Sequence, residues 1–344
     1  MSAWITLRRK SLETLNIYWD LVRIIVPVAV TVEFLQGFGF IEAVSPAFSP
    51  LMNLVGLPPE LALAWLTGLL VGIWGGMVVV FTLVPASALT TADITVLSSL
   101  LLFAHAIPIE QKIIRNAGPG FIATAAIRIG GGFLFAVLLH LTLATTGWLA
   151  EPVSPDWRPM AQDAGWKAFV SGMLKTLTLM LVVLLALSGA IELLRLSGIL
   201  ERINRRLAPL FRLAGIENPT VPFVAIGMFL GISYGAGLLI REARSADAEP
   251  RQVFLACVFM GFAHSVIEDT VVVVAFGADL TSVLFARLAF AIVATALIAG
   301  ALKSVPDDVF YRFLHRRTGR TPRLLQALPR DTEQPRPSAV APSE

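Results

Sequence analysis

Long apolar runs separated by short polar stretches fill most of this chain. They cover about Leu21 to Phe40, Leu61 to Val84, Ile94 to Ile109 and Phe121 to Thr145, then Ala168 to Leu194, Thr220 to Ile240, Val253 to Phe276 and Ser282 to Leu302. A helix needs about 20 apolar residues to cross a hydrocarbon core, and several of these runs reach that length. The pattern predicts an all-α polytopic membrane protein. The runs from Leu61 and Thr220 differ from the others in carrying glycine at every fourth position: Gly68, Gly72 and Gly76 in one, Gly227, Gly231 and Gly235 in the other. That spacing gives a smooth helix face on which another backbone can approach closely.

The runs come in two sets of four because the chain is duplicated. Phe262-Ala-His-Ser-Val-Ile-Glu-Asp269 echoes Phe103-Ala-His-Ala-Ile-Pro-Ile-Glu110, 159 residues earlier. The same offset maps Glu33 to Glu192, Gly39 to Gly198, Glu42 to Glu201, Pro50 to Pro209, Gly56 to Gly215, Gly118 to Gly277 and Arg128 to Arg287. So many coincidences in one register point to a tandem duplication, and function is sought in what both copies keep.

Charge then orients the copies. Residues 41–60, after the first run of copy one, carry Glu42 and Glu60 but no Lys or Arg, whereas the stretch after the first run of copy two holds Arg195, Arg202, Arg205, Arg206 and Arg212. Basic loops favour the cytoplasm, so the copies are expected to face opposite ways. That requires an odd number of crossings per copy, although each has four apolar runs. The expected solution is three transmembrane helices plus one Gly-rich re-entrant helical hairpin in each of two inverted repeats. All basic clusters then fall inside: Lys112 and Arg115; Arg241, Arg244 and Arg251; Lys303 and the tail. The expected layout is a cytoplasmic segment at 1–20, repeat 1 at 21–146, an extracytoplasmic loop at 147–167, repeat 2 at 168–303 and a basic, Pro-rich tail at 304–344, disordered from about Thr318. Arg8-Arg9-Lys10 ahead of a long apolar run without a small-residue cleavage pattern predicts a retained first helix, not a cleaved signal. The acidic loop holds Glu151, Asp156 and Asp163 with Trp148, Trp157 and Trp166, the aromatics of a membrane interface.

Composition agrees. Of 344 residues 56% are apolar and only 15% charged, too few charges for a soluble enzyme. The net charge of +3 arises from basic ends and loops, which argues against nucleic-acid binding. Cys257 is the single cysteine, which excludes an intrachain disulfide and a cysteine-based metal cluster. No Walker loop, Gly-x-Ser-x-Gly or His-Glu-x-x-His is present, so neither an enzyme nor a cofactor is expected.

The candidate chemistry lies in ionisable groups within the apolar runs, each of which needs a partner or water. Glu33 lies 12 residues past Leu21, about 18 Å along a helix, and Arg128 is comparably deep. The duplication places Glu192 and Arg287 likewise. These charges form either structural Glu–Arg pairs or part of a coupling or substrate site. His105 with Glu110, and His264 with Glu268 and Asp269, make the second set. On a helix His264 and Glu268 share a face, whereas Pro108 is expected to break the helix in copy one. Imidazole beside carboxylate suits a divalent cation, a proton relay or a polar solute, and a buried hydrogen-bonded or helix-capping histidine is the plainer alternative. The glycine hairpins are candidates to present backbone groups to a solute at their tips, with tight packing as the plainer reading, and the two roles are compatible. His140 and His315 have no counterpart and are given no role.

A glycine-rich segment followed by Phe-Ala-His-Ser-Val-Ile-Glu-Asp-Thr resembles the nucleoside-recognition, or Gate, family of bacterial membrane proteins. That family includes spore maturation membrane proteins and is related to gate segments of nucleoside and ferrous iron transporters. The resemblance spans about Leu21 to Leu302 and is clearest at residues 215–290. It implies re-entrant hairpins and a transporter or permease of the cytoplasmic membrane, both termini inside, for a small polar solute of nucleoside or nucleobase type. A divalent cation carrier is the alternative, and a non-transporting scaffold or regulator a second. The Cys-Pro signature associated with the iron transporter's gates is absent. The expected partners are the lipid bilayer and a small solute or ion, with no nucleic acid, and a homo-oligomer is compatible with this layout.

Overall fold

The computed structural model describes residues 3–154, 166–217, 220–233, 235–243 and 249–316. Asp156, Trp157, Asp163, Arg244 and the tail expected to be disordered from Thr318 lie outside the described residues. The architecture is all-helical. The first half contains α1 (Ala3–Gly37), short α2 (Phe40–Val44) and α3 (Ser49–Asn53), α4 (Leu61–Val71), α5 (Ile73–Leu83), α6 (Thr91–Phe103), α7 (Ile107–Ala117) and α8 (Phe121–Thr146). The second half repeats the order with α9 (Trp166–Leu196), α10 (Ile199–Leu213), α11 (Val221–Leu230), α12 (Ala236–Ala243), α13 (Pro250–Ala263), α14 (Glu268–Ala275) and α15 (Arg287–Leu302), the last entered through a π turn at Thr281–Ala286. The first helix begins well before Leu21, because residues 3–20 continue the helix that the apolar run alone marks out.

The duplication extends to backbone conformation. Left-handed or otherwise positive φ angles occur at Gly39 and Gly198, Gly56 and Gly215, Gly72 and Gly231, Ala106 and Ser265, and Gly118 and Gly277. Each pair is separated by the 159-residue offset.

Among the described residues, six segments are long and apolar enough to cross a membrane: Thr14–Leu35, Thr91–Ala117, Phe121–Thr146, Phe169–Leu194, Pro250–Ala275 and Thr281–Leu302. They differ in burial for a physical reason. α6 and α13 are apolar around the whole helix, and almost every side chain from Ile94 to Phe103 and from Val253 to Ala263 is buried, as befits helices at the centre of a bundle. α8 buries one stripe, Thr124, Arg128, Gly132, Phe135, Ala136, Leu139 and Leu143, at spacings of three and four. Its other face exposes Ile122, Leu134, Leu138 and Leu141, and the last membrane segment exposes Phe285, Val293 and Leu297. Such broad apolar faces are suited to lipid, not water. This is a multi-pass membrane protein.

Two of the apolar runs are broken at glycine. α4 and α5 are each 11 residues, about 16 Å at 1.5 Å per residue, and pack on one another. Gly72 between them has φ 129° and ψ 171°, and its counterpart Gly231 after α11 has φ 78° and ψ 167°. Such angles are open essentially to glycine alone. Gly68 and Gly76 serve close approach, since a Cβ on Gly76 would sit 3.0 Å from the Ala64 carbonyl oxygen and 3.1 Å from the Gly68 Cα. The two halves also interlock: α7 packs on α12, α14 on α5, and α13 on both α6 and α8.

Gly72→Ala is expected to destabilise the protein by about 1–3 kcal/mol, through backbone strain alone, because nothing lies within 4 Å of the added Cβ. Gly130→Ala, in the middle of α8 with equally open space, is expected to be neutral or stabilising by about 0.4–1 kcal/mol. Thermal midpoints of the two variants in one detergent check the contrast.

Candidate functional site

The second break in each half is where the ionisable residues meet. The membrane segment Thr91–Ala117 does not run on as one helix to Pro108. α6 stops at Phe103, Ala106 takes a left-handed φ of 46°, and α7 restarts at Ile107 with Pro108 inside its first turn. In the other half α13 stops at Ala263, Ser265 has φ 44°, and α14 starts at Glu268. His264 and Glu268 therefore do not share the face of a continuous helix. The break redirects the chain, and Asp269 is the acid brought within 3.6 Å of His105. Asp269, not Glu268, is also the offset counterpart of Glu110.

Each break is pinned to its glycine-rich segment. The Ala106 N–H donates to the Gly68 carbonyl at 3.1 Å and the Ser265 N–H to the Gly227 carbonyl at 3.3 Å. A Cβ on Gly68 or Gly227 would collide with the side chains of Leu101 and Met260 respectively. Those same two residues hold the histidines: His105 Nδ1 lies 2.9 Å from the Leu101 carbonyl oxygen and His264 Nδ1 2.8 Å from that of Met260. A ring nitrogen facing a carbonyl must donate, so both neutral imidazoles carry their proton on Nδ1 and turn a bare Nε2 inward. The two Nε2 atoms face each other at 3.3 Å.

The arginines occupy the broken helix ends. Breaking α6 and α13 leaves carbonyls without intrahelical donors, at the negative end of each helix dipole. Arg128 Nε donates to the Phe103 carbonyl at 2.9 Å, and Arg287 Nε to that of Phe262 at 2.7 Å. Arg287 Nη2 also donates across the halves to the Leu102 carbonyl at 2.9 Å, and to that of His264 at 3.1 Å. The carboxylates occupy the opposite polarity, in the first turns of α7 and α14. Arg128 Nη1 and Glu110 Oε2 are 2.8 Å apart. They are poorly aligned for a hydrogen bond, so this contact is an ion pair. Arg128 Nη2 reaches to 3.4 Å from His264 Nε2, and Glu110 Oε2 to 3.3 Å from the same atom. Around the cluster, Phe103, Phe135, Phe262 and Phe290 pack ring against ring, and Arg287 lies over Phe103 with its guanidinium carbon 5.9 Å from the ring centre.

The carboxylate partner of Arg128 is thus Glu110 and not the expected Glu33 or Glu192. Glu33 is partly exposed on α1, and Glu192 is buried on α9, which packs against α1. Glu268 opens α14 next to the cluster. Four buried atoms in the cluster have no hydrogen-bond partner among the described residues: Arg128 Nη1 and Glu110 Oε2, which face each other as the ion pair, and Asp269 Oδ2 and Arg287 Nη1. Unspent buried polar atoms in a centre of this kind are a common mark of function. His140 packs its ring on Gly56 and the buried His315 its ring on Gly118, contacts of packing.

Family comparison follows the same duplication. A family model described as "Gate: Nucleoside recognition" matches residues 18–120 and matches again at 177–280. Together these matches cover more than half of the chain. The chain belongs to the Gate family. Its similarity to the Bacillus subtilis (strain 168) protein named "Uncharacterized membrane protein YvoD" is 28% identity over 293 residues, 83% of this chain and 91% of that one. No solved structure matches. In the Gate halves of this protein the phrase that carries the family resemblance is the helix break itself, with its histidine and the acid that follows.

Removing one member of the buried ion pair leaves the other charge unpaired. Arg128→Met is therefore expected to destabilise the protein by about 3–5 kcal/mol. The double variant Arg128→Met/Glu110→Leu is expected to recover at least half of that loss. Unfolding midpoints of the single and double variants measure the recovery.

Proposed function

We propose that this Gate protein is a transporter or permease of the bacterial cytoplasmic membrane for a small polar solute of nucleoside or nucleobase type. It works by alternating access of two inverted repeats about the buried cluster. The observation that carries this reading is the meeting of two broken membrane helices, one from each half, at groups that belong to both: His105, Glu110 and Arg128 with His264, Asp269 and Arg287. Non-helical backbone at membrane depth is tolerated where it is buried in protein or lines a cavity, and broken helices meeting at the interface of inverted repeats are a recurrent transporter plan. The unspent Asp269 Oδ2 and Arg287 Nη1 offer one acceptor and one donor to a polar solute. A cation carrier and a scaffold without transport are the competing outcomes of the ligand test below.

In this reading each half contributes three crossings, and α4–α5 and α11–α12 are re-entrant hairpins entering from opposite sides. Their short helices support it, since each is about half the ~30 Å of a hydrocarbon core. Both termini are cytoplasmic. On a Cys257→Ala background, Pro50→Cys is expected to label with an impermeant thiol reagent from outside and Pro209→Cys only from inside. Both prolines are exposed. Labelling of the two positions from one side would remove the inverted repeat and the hairpins with it.

The ligand class is read from thermal shifts of the protein in nanodiscs, since a ligand of the native state raises its stability with concentration over dissociation constant. At 100-fold excess over the dissociation constant about 2.7 kcal/mol is expected. Nucleosides or nucleobases are expected to shift wild type and to lose that effect in His264→Ala. No shift in wild type with any nucleoside, nucleobase or cation, from a protein that folds, would instead favour the scaffold.

A further inference from the structure

The inward-facing atoms of the cluster share one property that hydrogen bonding within the protein does not explain. His105 Nε2 is surrounded by acceptors: His264 Nε2 at 3.3 Å, Asp269 Oδ2 at 3.6 Å and Glu110 Oε1 at 3.7 Å. Its other ring nitrogen is committed as a donor to Leu101, so Nε2 of the neutral ring is itself an acceptor. His264 Nε2 faces the same way and meets a single donor, Arg128 Nη2, at a long 3.4 Å. Lone pairs gathered in a buried space repel one another unless a proton or a metal cation lies among them, and the ligand set and spacing distinguish the two.

We propose that His105, His264 and Asp269 form a binding centre for one divalent first-row transition-metal ion, with Glu110 at its edge. The proposal rests on the transport reading only for the ion's role, as cargo or as coupling ion, and not for the binding itself. The ligand atoms of the three residues all lie within 4.8 Å of one another. A tetrahedral ion with bonds of about 2.0–2.1 Å to nitrogen sets neighbouring ligand atoms about 3.3–3.4 Å apart, and the two imidazole nitrogens are separated by 3.3 Å. Both rings already show the outer contact typical of metal-bound histidine, an Nδ1–H donated to a backbone carbonyl that fixes tautomer and orientation. Two imidazoles and a carboxylate select transition metals over the hard cations Mg²⁺ and Ca²⁺, which take all-oxygen shells.

Charge supports a cation as well. The groups facing the centre are Glu110 from α7, Arg128 from α8, Asp269 from α14 and Arg287 from α15, with Glu268 beside Asp269. Three carboxyl groups stand against two guanidiniums, so with all three ionised and the imidazoles neutral the groups sum to one negative charge. Arg128 is held off by its own bonds to the Phe103 carbonyl and Glu110, so Asp269 Oδ2 remains free to ligate. His105 comes from one half of the chain, and His264 and Asp269 from the other. Any motion that parts the halves therefore dismantles the centre and releases the ion, which ties occupancy to conformation.

The test is titration of Co²⁺, and separately Zn²⁺, into the chelator-treated full chain in nanodiscs, by calorimetry and by the visible absorption of bound Co²⁺. One ion per chain is expected, with at least a tenfold loss of affinity in His105→Gln, His264→Gln and Asp269→Asn and no change in His140→Gln. Circular dichroism and elution profile identify the variants that fold, and Asp269→Asn, which keeps side-chain shape, decides if either histidine variant does not. Absence of binding by folded wild type, or binding that survives all three substitutions, would overturn the centre. Nucleoside shifts without Co²⁺ binding would leave the transport reading standing while removing the metal. Metal bound at this centre by a protein that moves neither ion nor nucleoside in proteoliposomes would do the reverse.

Discussion

Everything in this fold depends on satisfying charge and broken backbone together inside a membrane. An ionisable side chain in hydrocarbon costs a few kcal/mol on insertion scales, and so does each backbone group left without a partner there. The protein places the two problems on top of each other. Where α6 and α13 end, their freed carbonyls receive the guanidiniums of Arg128 and Arg287. Where α7 and α14 begin, Glu110 and Asp269 sit in the first turn, the favoured place for negative charge. Each defect supplies part of the compensation for the other.

Because the halves share these contacts, the centre binds them together. Arg287 of the second half bonds Leu102 of the first, and His264 of the second approaches Glu110 of the first. The crossed packing of α7 on α12 and of α14 on α5 follows the same logic. The glycine-rich segments are what let the centre close: Gly68 and Gly227 leave room for Leu101 and Met260, and their carbonyls receive the amides of the strained residues Ala106 and Ser265. Packing and chemistry are therefore not alternative roles for these glycines. A left-handed alanine and a left-handed serine at equivalent positions show that the break is held by its surroundings, since neither residue favours that conformation alone.

Much of this was legible in the chain. The apolar runs, the Gate phrase and the 159-residue offset foretold an all-helical membrane protein built twice, and the offset recurs in the paired positive φ angles. His105, His264, Glu110, Asp269, Arg128 and Arg287 were all among the candidates, and the fold gathers them. The internal grouping differs from the sequence pattern in two places. Helical spacing joins His264 to Glu268, because the residues between them, Ser265, Val266 and Ile267, include no glycine or proline to announce a break. Depth along a helix suggested Glu33 or Glu192 as partners for arginine, whereas Glu110 is the partner of Arg128. The same 18-residue spacing from Glu110 to Arg128 and from Asp269 to Arg287 is the sequence signal of this grouping.

What the sequence determined by itself is the class, the duplication and the inventory of buried charges. Hydropathy, glycine spacing and repeat offset are properties of local composition and register, and they persist whatever the chain packs against. Only the tertiary structure decided where the helices break, which carboxylate meets which arginine and that the two histidines present their bare nitrogens to one another. Those outcomes depend on which helix ends converge in the bilayer. A charge or an open carbonyl there takes the partner that packing brings within about 3 Å, and that partner lies 18 residues away for Arg128 with Glu110 but 185 for Arg287 with the Leu102 carbonyl.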